Sequence, residues 1–302
     1  MAQSYYEATA RQRLAGVLDA GSLRELLPPA ERATSPHLPR LDLPVAFDDG
    51  VVVGRGTLAG RAVLAASQEG RFMGGAVGEV HGAKLTGLLE RALDERPAAV
   101  LLLLESGGVR LHEANAGLIG VSETMRALLD ARVAGIPVLA LIGGTTGCFG
   151  GMGLVARCCD LVIMSEEGRL GMSGPEVIET VHGVEEFDSR DRALVWRTVG
   201  GKHRYALGDA QRLVPDDIAA FRAAAVAALD AAEARQPFAL ETLVAEHAAL
   251  GERIARFGAC GDALEVWRGL GVADPAALPM LDTADFLAVI ERTLDHRGAT
   301  RR

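Results

Sequence analysis

The stretch VLLLLESGGVR, residues 100–110, decides how this chain folds. Val100–Leu104 is an unbroken apolar run with no polar alternation, the pattern of a strand buried on both faces of a parallel sheet. It ends in a glycine turn, Ser106-Gly107-Gly108, and helical periodicity follows from about Ala114 to Arg132. The same order then repeats. Ile136–Ile142 is a second buried strand, Gly143–Gly151 a second glycine loop, and Met152–Arg157 a short helix, with a third strand at Leu161–Met164. Strands alternating with loops and helices predict a layered, parallel α/β architecture with right-handed crossovers.

Outward from this core, Val51–Val53 and Ala62–Ala66 read as two strands joined by turn residues, a small antiparallel start to the sheet. Residues 4 to 20 read as a helix, with Ser4 and Glu7 as a capping box and Gly21 as its stop. Pro28 to Pro44 reads as an extended arm. Alanine-rich helical text runs from Asp216 through Ala234 and from about Glu241 to Phe257, with a last helix over Thr283–Asp295. The expected division is 1–44 for an N-terminal helix and arm, 45–210 for the core, and 211–302 for a helical, interface-forming region.

Hydrophobic residues make up 49% and charged residues 24% of the 302 positions, which is a well-cored chain and not a disordered one. Thirty-one basic against 40 acidic side chains leave a net charge of −9, which argues against a nucleic-acid partner. Cys148, Cys158, Cys159 and Cys260 contain no C-x-x-C pair, so a zinc ribbon is excluded and no disulfide framework is expected. Met1 to Arg13 is polar with both charge signs, and no signal peptide is expected. Val133 to Ala156 is uncharged, yet Pro137 and its clustered glycines suit a strand, loop and helix start better than a membrane span. The expected location is the cytoplasm.

Glycine is the oddity: 36 residues, about 12% against a usual ~7%, with 27 of them between Gly54 and Gly208. Side-chain signatures are missing. Neither G-x-G-x-x-G, the P-loop, G-x-S-x-G nor H-E-x-x-H occurs, and the only lysines are Lys84 and Lys202. His81, His112 and His182 stand at no diagnostic spacing, and no metal is expected.

What remains is two glycine turns placed directly after buried strands, where parallel sheets bind ligands. They are Glu105–Arg110 and Gly147–Gly153, the second opening a helix. Bare backbone lets N–H groups approach a ligand, and a helix N-terminus adds donors and partial positive charge. Two such turns converging would make an oxyanion hole. Taken alone, they read more readily as tight turns that let helices pack on strands.

Their neighbours carry a resemblance. Arg71-Phe72-Met73-Gly74-Gly75-Ala76-Val77-Gly78 resembles the FMGG segment of carboxyltransferase beta subunits, and Ser106-Gly107-Gly108-Val109-Arg110 resembles their SGGAR. Thr145-Thr146-Gly147 is similar to their TTGG, and Gly174-Pro175-Glu176-Val177-Ile178-Glu179 to their GPRVIE. The family belongs to the crotonase-like superfamily, so the resemblance implies a spiral of ββα units with layered parallel sheets and a helical C-terminal region. The chain lacks the zinc ribbon of acetyl-CoA carboxylase beta subunits. Its Leu111-His112-Glu113 and its longer second loop look closer to the branch that decarboxylates malonyl thioesters.

That resemblance implies decarboxylation of malonyl on an acyl carrier subunit to the acetyl thioester and CO₂, through an enolate held by backbone amides. It also implies a gamma subunit of related fold as partner. This chain would bind no cofactor, the dephospho-CoA-type prosthetic group being carried by the acyl carrier subunit. The alternative is a carboxyltransferase beta subunit of a biotin-dependent acyl-CoA carboxylase. Gly107 or Gly108 is expected on one side of the oxyanion hole and Gly150 or Gly151 on the other, with Gly147 and Cys148 as rivals in the second loop. Phe72, Met73, Gly74, Gly75 and Met152 are expected to line the thioester pocket. Arg110 either steers the substrate's anion or forms a structural salt bridge, and His112 or water returns the proton.

Overall fold

Among the described residues, seven strands pair in sequence order, β1 (Arg24–Leu26), β2 (Val51–Leu58), β3 (Arg61–Gln68), β4 (Ala99–Leu103), β5 (Val138–Ile142), β6 (Leu161–Ser165) and β7 (Arg212–Val214). The first three are antiparallel, and from β3 to β7 every pairing is parallel. The computed structural model of the chain describes residues 3–43, 47–232 and 238–295.

Every residue of β4, β5 and β6 is buried, as their continuous apolar text requires. Alternate side chains leave the sheet on opposite faces. Val100, Leu102, Val138, Ala140, Val162 and Met164 join one core cluster with α2 (Glu79–Glu95), α3 (Ala116–Val133) and α4 (Gly151–Cys158). Leu101, Leu103, Leu139, Leu141 and Ile163 face the other way, against α1 (Ala10–Val17) and α8 (Ile218–Ala232), where Tyr5 stacks on Phe221 at 4.0 Å. Truncating any of these leucines to alanine would cost about 2–5 kcal/mol.

A second, thinner layer lies past the carboxyl ends of the strands. It is a row of single-residue parallel bridges, Val77 with Val109, Ser106 with Cys148, and Cys148 with Leu170. Strand, bridge and helix in succession form the ββα unit of the expected spiral, with each second strand reduced to one residue. The chain continues through α5 (Pro175–His182), α6 (Arg192–Val199), α7 (Gly201–Ala206), α9 (Leu240–Phe257), α10 (Ala263–Leu270) and α11 (Thr283–Asp295). Helices α7, α10 and α11 close a separate cluster around Trp267 and Phe286. No helix among the described residues is long and apolar enough to cross a membrane.

Two local expectations change, and one helix is new. The first helix starts at Ala10 and not at residue 4, because Thr9 and Gln12 form the capping box. Ser4 instead accepts the Glu7 N–H at 3.1 Å and donates to Asp216 at 2.5 Å. The arm after Pro28 is not fully extended, since Pro29–Glu31 and Leu38–Leu41 are 3₁₀ turns. Pro44 lies outside the described residues, as does Ala234 beyond α8. Helix α2 went unread because Gly82 and Gly87 dilute its pattern. A Cβ at Gly82 would stand 2.5 Å from the Gly120 Cα, so glycine there permits the close crossing of α2 on α3.

Candidate active site

The two glycine turns meet. A Cβ placed on Gly150 would lie 3.3 Å from the Cα of Gly108. Two backbone bonds draw the turns together, Ser106 N–H to Gly147 O and Phe149 N–H to Ser106 O, both 2.8 Å. Gly108 has φ +141° with nothing within 4 Å of where its Cβ would be, so its missing side chain leaves open space. Gly150 has φ 60° and ψ −138°, a conformation that favours glycine, and turns the chain into α4.

The donors sort themselves by what they already bind. Gly107 N–H is occupied by Gly74 O at 2.8 Å, and Gly150 N–H by Met172 O at 2.9 Å. Gly108 N–H has only a long 3.2 Å bond to the Ser106 hydroxyl. Among the described residues, the Gly151 and Met152 amides at the start of α4 meet no acceptor. The donors left for an anion are therefore Gly108, Gly151 and Met152, which narrows the expectation and removes the amides of Gly107 and Gly150 from it. The partial positive charge of a helix N-terminus adds to the Gly151–Met152 side.

Against Arg110, the last residue of the first turn, lies a cleft of about 240 Å³ lined also by Phe72, Met73 and His112, by Leu38 of the arm and by Phe47; Gly108, Gly150 and Gly151 do not line it. Gly74 and Gly75, both at positive φ, follow Met73 in the chain and are not among the residues that line it. Four side chains named from sequence thus share one cavity. Met152 does not join them: its side chain is fully buried in the main core, so only its amide is available.

Of the two roles expected for Arg110, the geometry is that of the structural salt bridge. Its Nε donates to Ala76 O at 2.9 Å, Nη1 to Glu113 at 3.0 Å, and Nη2 to Asp48 at 3.1 Å, with a further short bond from Nη1 to Asp48. It is seated between two carboxylates and 5.3 Å from the Phe72 ring centroid, a clamp and not a free cation. Asp48 is held below the usual carboxylate range by that guanidinium, against the opposing effect of its burial. His112 sits on the rim, 43% exposed, with Nε2 3.8 Å from Glu113.

Both lysines are also structural. Lys84 donates to the carbonyls of Asp48 and Val51 at 3.3 and 3.4 Å, and burial lowers its pKa. Lys202 donates to Pro279 O and Leu281 O at 3.0 and 2.6 Å. Neither stands at the glycine turns.

Sequence reading missed the buried polar group beneath the site. Glu105 and Arg13 form an ion pair with side chains each 2% exposed. Gln68 accepts the Glu105 N–H at 2.9 Å and places its amide nitrogen 3.0 Å from His81 Nε2. Since the Gln68 oxygen is taken, its nitrogen donates to His81, whose proton is thereby assigned to Nδ1. Burial drives the His81 pKa down to about 3. The partners come from residues 13, 68 and 81, a separation no local spacing reveals.

A parallel sheet of this order, with two glycine turns meeting past its strand ends, defines a class, and the comparisons show which. The chain belongs to the carboxyl transferase domain family, whose model matches residues 5–226. It is 40% identical over 96% of both chains to a malonyl-S-ACP:biotin-protein carboxyltransferase of Malonomonas rubra. Among solved structures it is similar to a Pseudomonas malonate decarboxylase hetero-tetramer in complex with malonate, at 45% identity and TM-score 0.71 over 76% of this chain and 84% of that one. A Pseudomonas malonate decarboxylase hetero-dimer matches at 40% identity and TM-score 0.62, over 76% and 88%. The expected family membership and spiral fold are borne out.

Proposed function

We propose that this chain is the beta-type subunit of a malonate decarboxylase, converting a malonyl thioester on an acyl carrier subunit to the acetyl thioester and CO₂. The observation that carries the reading is the meeting of Gly108 with Gly150 beside the unpartnered amides of Gly151 and Met152. The printed names of the relatives support the malonyl substrate.

The chemistry asks little of side chains. When the C–C bond to the carboxylate breaks, its electron pair moves into the thioester, whose carbonyl oxygen becomes an enolate oxygen. Preorganised N–H donors aimed at that oxygen lower the barrier, each contributing roughly 10²–10³ in rate. Gly108 supplies one donor, and Gly151 or Met152 the other, with the α4 dipole alongside. The apolar cleft at Phe72 and Met73 takes the thioester end and excludes water. A proton then reaches the carbanion carbon from His112 on the rim or from water.

The prosthetic group is assigned to the carrier chain, as a dephospho-CoA-type arm, and this chain binds no cofactor of its own in this reading. The second subunit is a gamma chain of related fold, as the hetero-oligomeric relatives suggest. Helix α9 supports an interface in the 211–302 region, since Leu240, Val244 and Ile254 are 70, 60 and 71% exposed. The 1–44 segment contributes through the arm over the cleft, the 45–210 segment is the catalytic core, and the complex is placed in the cytoplasm.

A second reading has one observation behind it, the biotin-protein activity named for the Malonomonas relative. The test is direct. The chain, reconstituted with its gamma partner and given the malonyl carrier thioester without biotin, should release CO₂ and leave acetyl carrier. Strict dependence on a biotin protein would favour carboxyl transfer instead.

A further inference from the structure

We propose that Glu105 is a positioning residue for the decarboxylation, holding the two glycine turns at the separation the enolate oxygen requires; this rests on the reading just given. Three segments converge on this one buried carboxylate. Glu105 lies between β4 and the first turn, and its side chain is 2% exposed. Its Oε1 accepts the Thr146 N–H at 2.9 Å and the Thr145 hydroxyl at 3.0 Å, both on the loop that runs into Gly150. Its Oε2 accepts from Arg13 on α1, and its own N–H is tied to Gln68 at the end of β3.

Three glycines exist in forms that make room for it. A Cβ at Gly70 or at Gly144 would stand 2.4 Å from the carboxyl group, and one at Gly75 would stand 2.0 Å from the Glu105 carbonyl oxygen. Part of the glycine excess therefore serves this residue and not the ligand.

The geometry gives that packing a purpose. The isolated bridge between Ser106 and Cys148 fixes a single residue pair. The carboxylate, one residue before Ser106, grips the second loop at Thr145 and Thr146 and supplies a second point of attachment. Two points set the angle between the turns, and with it the spacing of the Gly108 and Gly151 amides. Oxyanion donors must be held to within about 0.5 Å, and a 1 Å misplacement costs about 10²-fold. Arg13 has an electrostatic part as well: it neutralises the carboxylate, which would otherwise oppose negative charge forming nearby.

The test uses the assembled complex and the malonyl carrier thioester. Thr145 is exposed and removes one of the Glu105 bonds without disturbing the core. Thr145→Val should lower kcat about tenfold with KM within about twofold, and Thr145→Ser, which keeps the hydroxyl, should restore it to within about twofold of the parent. Glu105→Gln should lower kcat about 10²-fold per assembled complex. A fall in melting temperature with kcat unchanged in Thr145→Val and Glu105→Gln would overturn the proposal and leave Glu105 purely structural. If Glu105→Gln does not assemble, the Thr145 pair decides alone. Gly108→Val measured alongside separates the two claims. Loss of turnover there, with kcat unchanged in the Thr145 and Glu105 variants, overturns the positioning role and leaves the oxyanion reading standing. Unchanged turnover in Gly108→Val overturns both.

Discussion

Arg110 and Asp48, 62 residues apart in sequence, form a two-pronged ion pair with side chains only 4% and 7% exposed. The pair ties the turn after β4 to the chain just before β2, and Glu113 joins it from the next turn. Removing one partner of such a buried pair strands the other charge. Arg110→Ala should therefore destabilise the chain by about 3–5 kcal/mol, read as a lower denaturation midpoint. Arg110→Lys should recover only part of that, since an ammonium cannot reproduce the two-pronged geometry. A raised KM with unchanged stability would instead make Arg110 a substrate anchor.

Gly150 is the position where a methyl group acts on the junction of the two turns itself. Its φ of 60° and ψ of −138° suit glycine, and an added Cβ would press toward Gly108 at 3.3 Å. Gly150→Ala should cost about 1–3 kcal/mol of stability and lower turnover by roughly 10²-fold through displacement of the α4 start. Gly107→Ala should lower it far less, since its φ is ordinary and its amide is already spent on Gly74. Steady-state CO₂ release by both variants checks the order.

Two buried histidines make stability depend on pH. Burial lowers His81 to about 3 and His203 to about 4, reinforced at His203 by Arg204 and at His81 by Arg110 and Lys84. A histidine of the unfolded chain titrates near 6.5, so between that pH and the folded pKa the unfolded state binds more protons. Stability is then fully present above about pH 6.5 and falls with acidification. Each histidine accounts for about 2 kcal/mol lost by pH 5. Urea unfolding at pH 7 and pH 5 measures this, and His81→Gln should flatten the dependence. An unchanged difference in that variant would clear His81 of any part in it.

The parallel core was legible because burial on both faces leaves its mark in the text itself: Val100–Leu104 and Ile136–Ile142 have nowhere to put a polar side chain. The glycine turns were legible for a related reason, as breaks that follow such runs directly. Helix α2 was not, because Gly82 serves the α3 contact and weakens its periodicity. The roles of Arg110 and Glu105 were illegible on different grounds. An arginine reads the same in sequence whether its carboxylates are supplied by substrate or by Asp48 and Glu113. Glu105 finds Arg13 at a distance of 92 residues, which only the folded sheet brings to contact. Gly107 and Gly108 are likewise adjacent and alike on paper, and only the bond from Gly107 to Gly74 separates the engaged amide from the available one.

The central claim is that bare backbone at the junction of two turns does the work usually given to side chains. Gly108→Val tests it most directly: among the described residues nothing outside its two chain neighbours lies within 4 Å of the Cβ position, so the new side chain would enter the open space at the junction, and its φ of +141° adds backbone strain at the same donor. The measurement is CO₂ release from malonyl carrier thioester, without biotin, by complex shown to be assembled and folded. The expected result is a fall of roughly 10²–10³ in kcat for Gly108→Val. Turnover equal to that of the parent, in a complex of equal assembly, would contradict it.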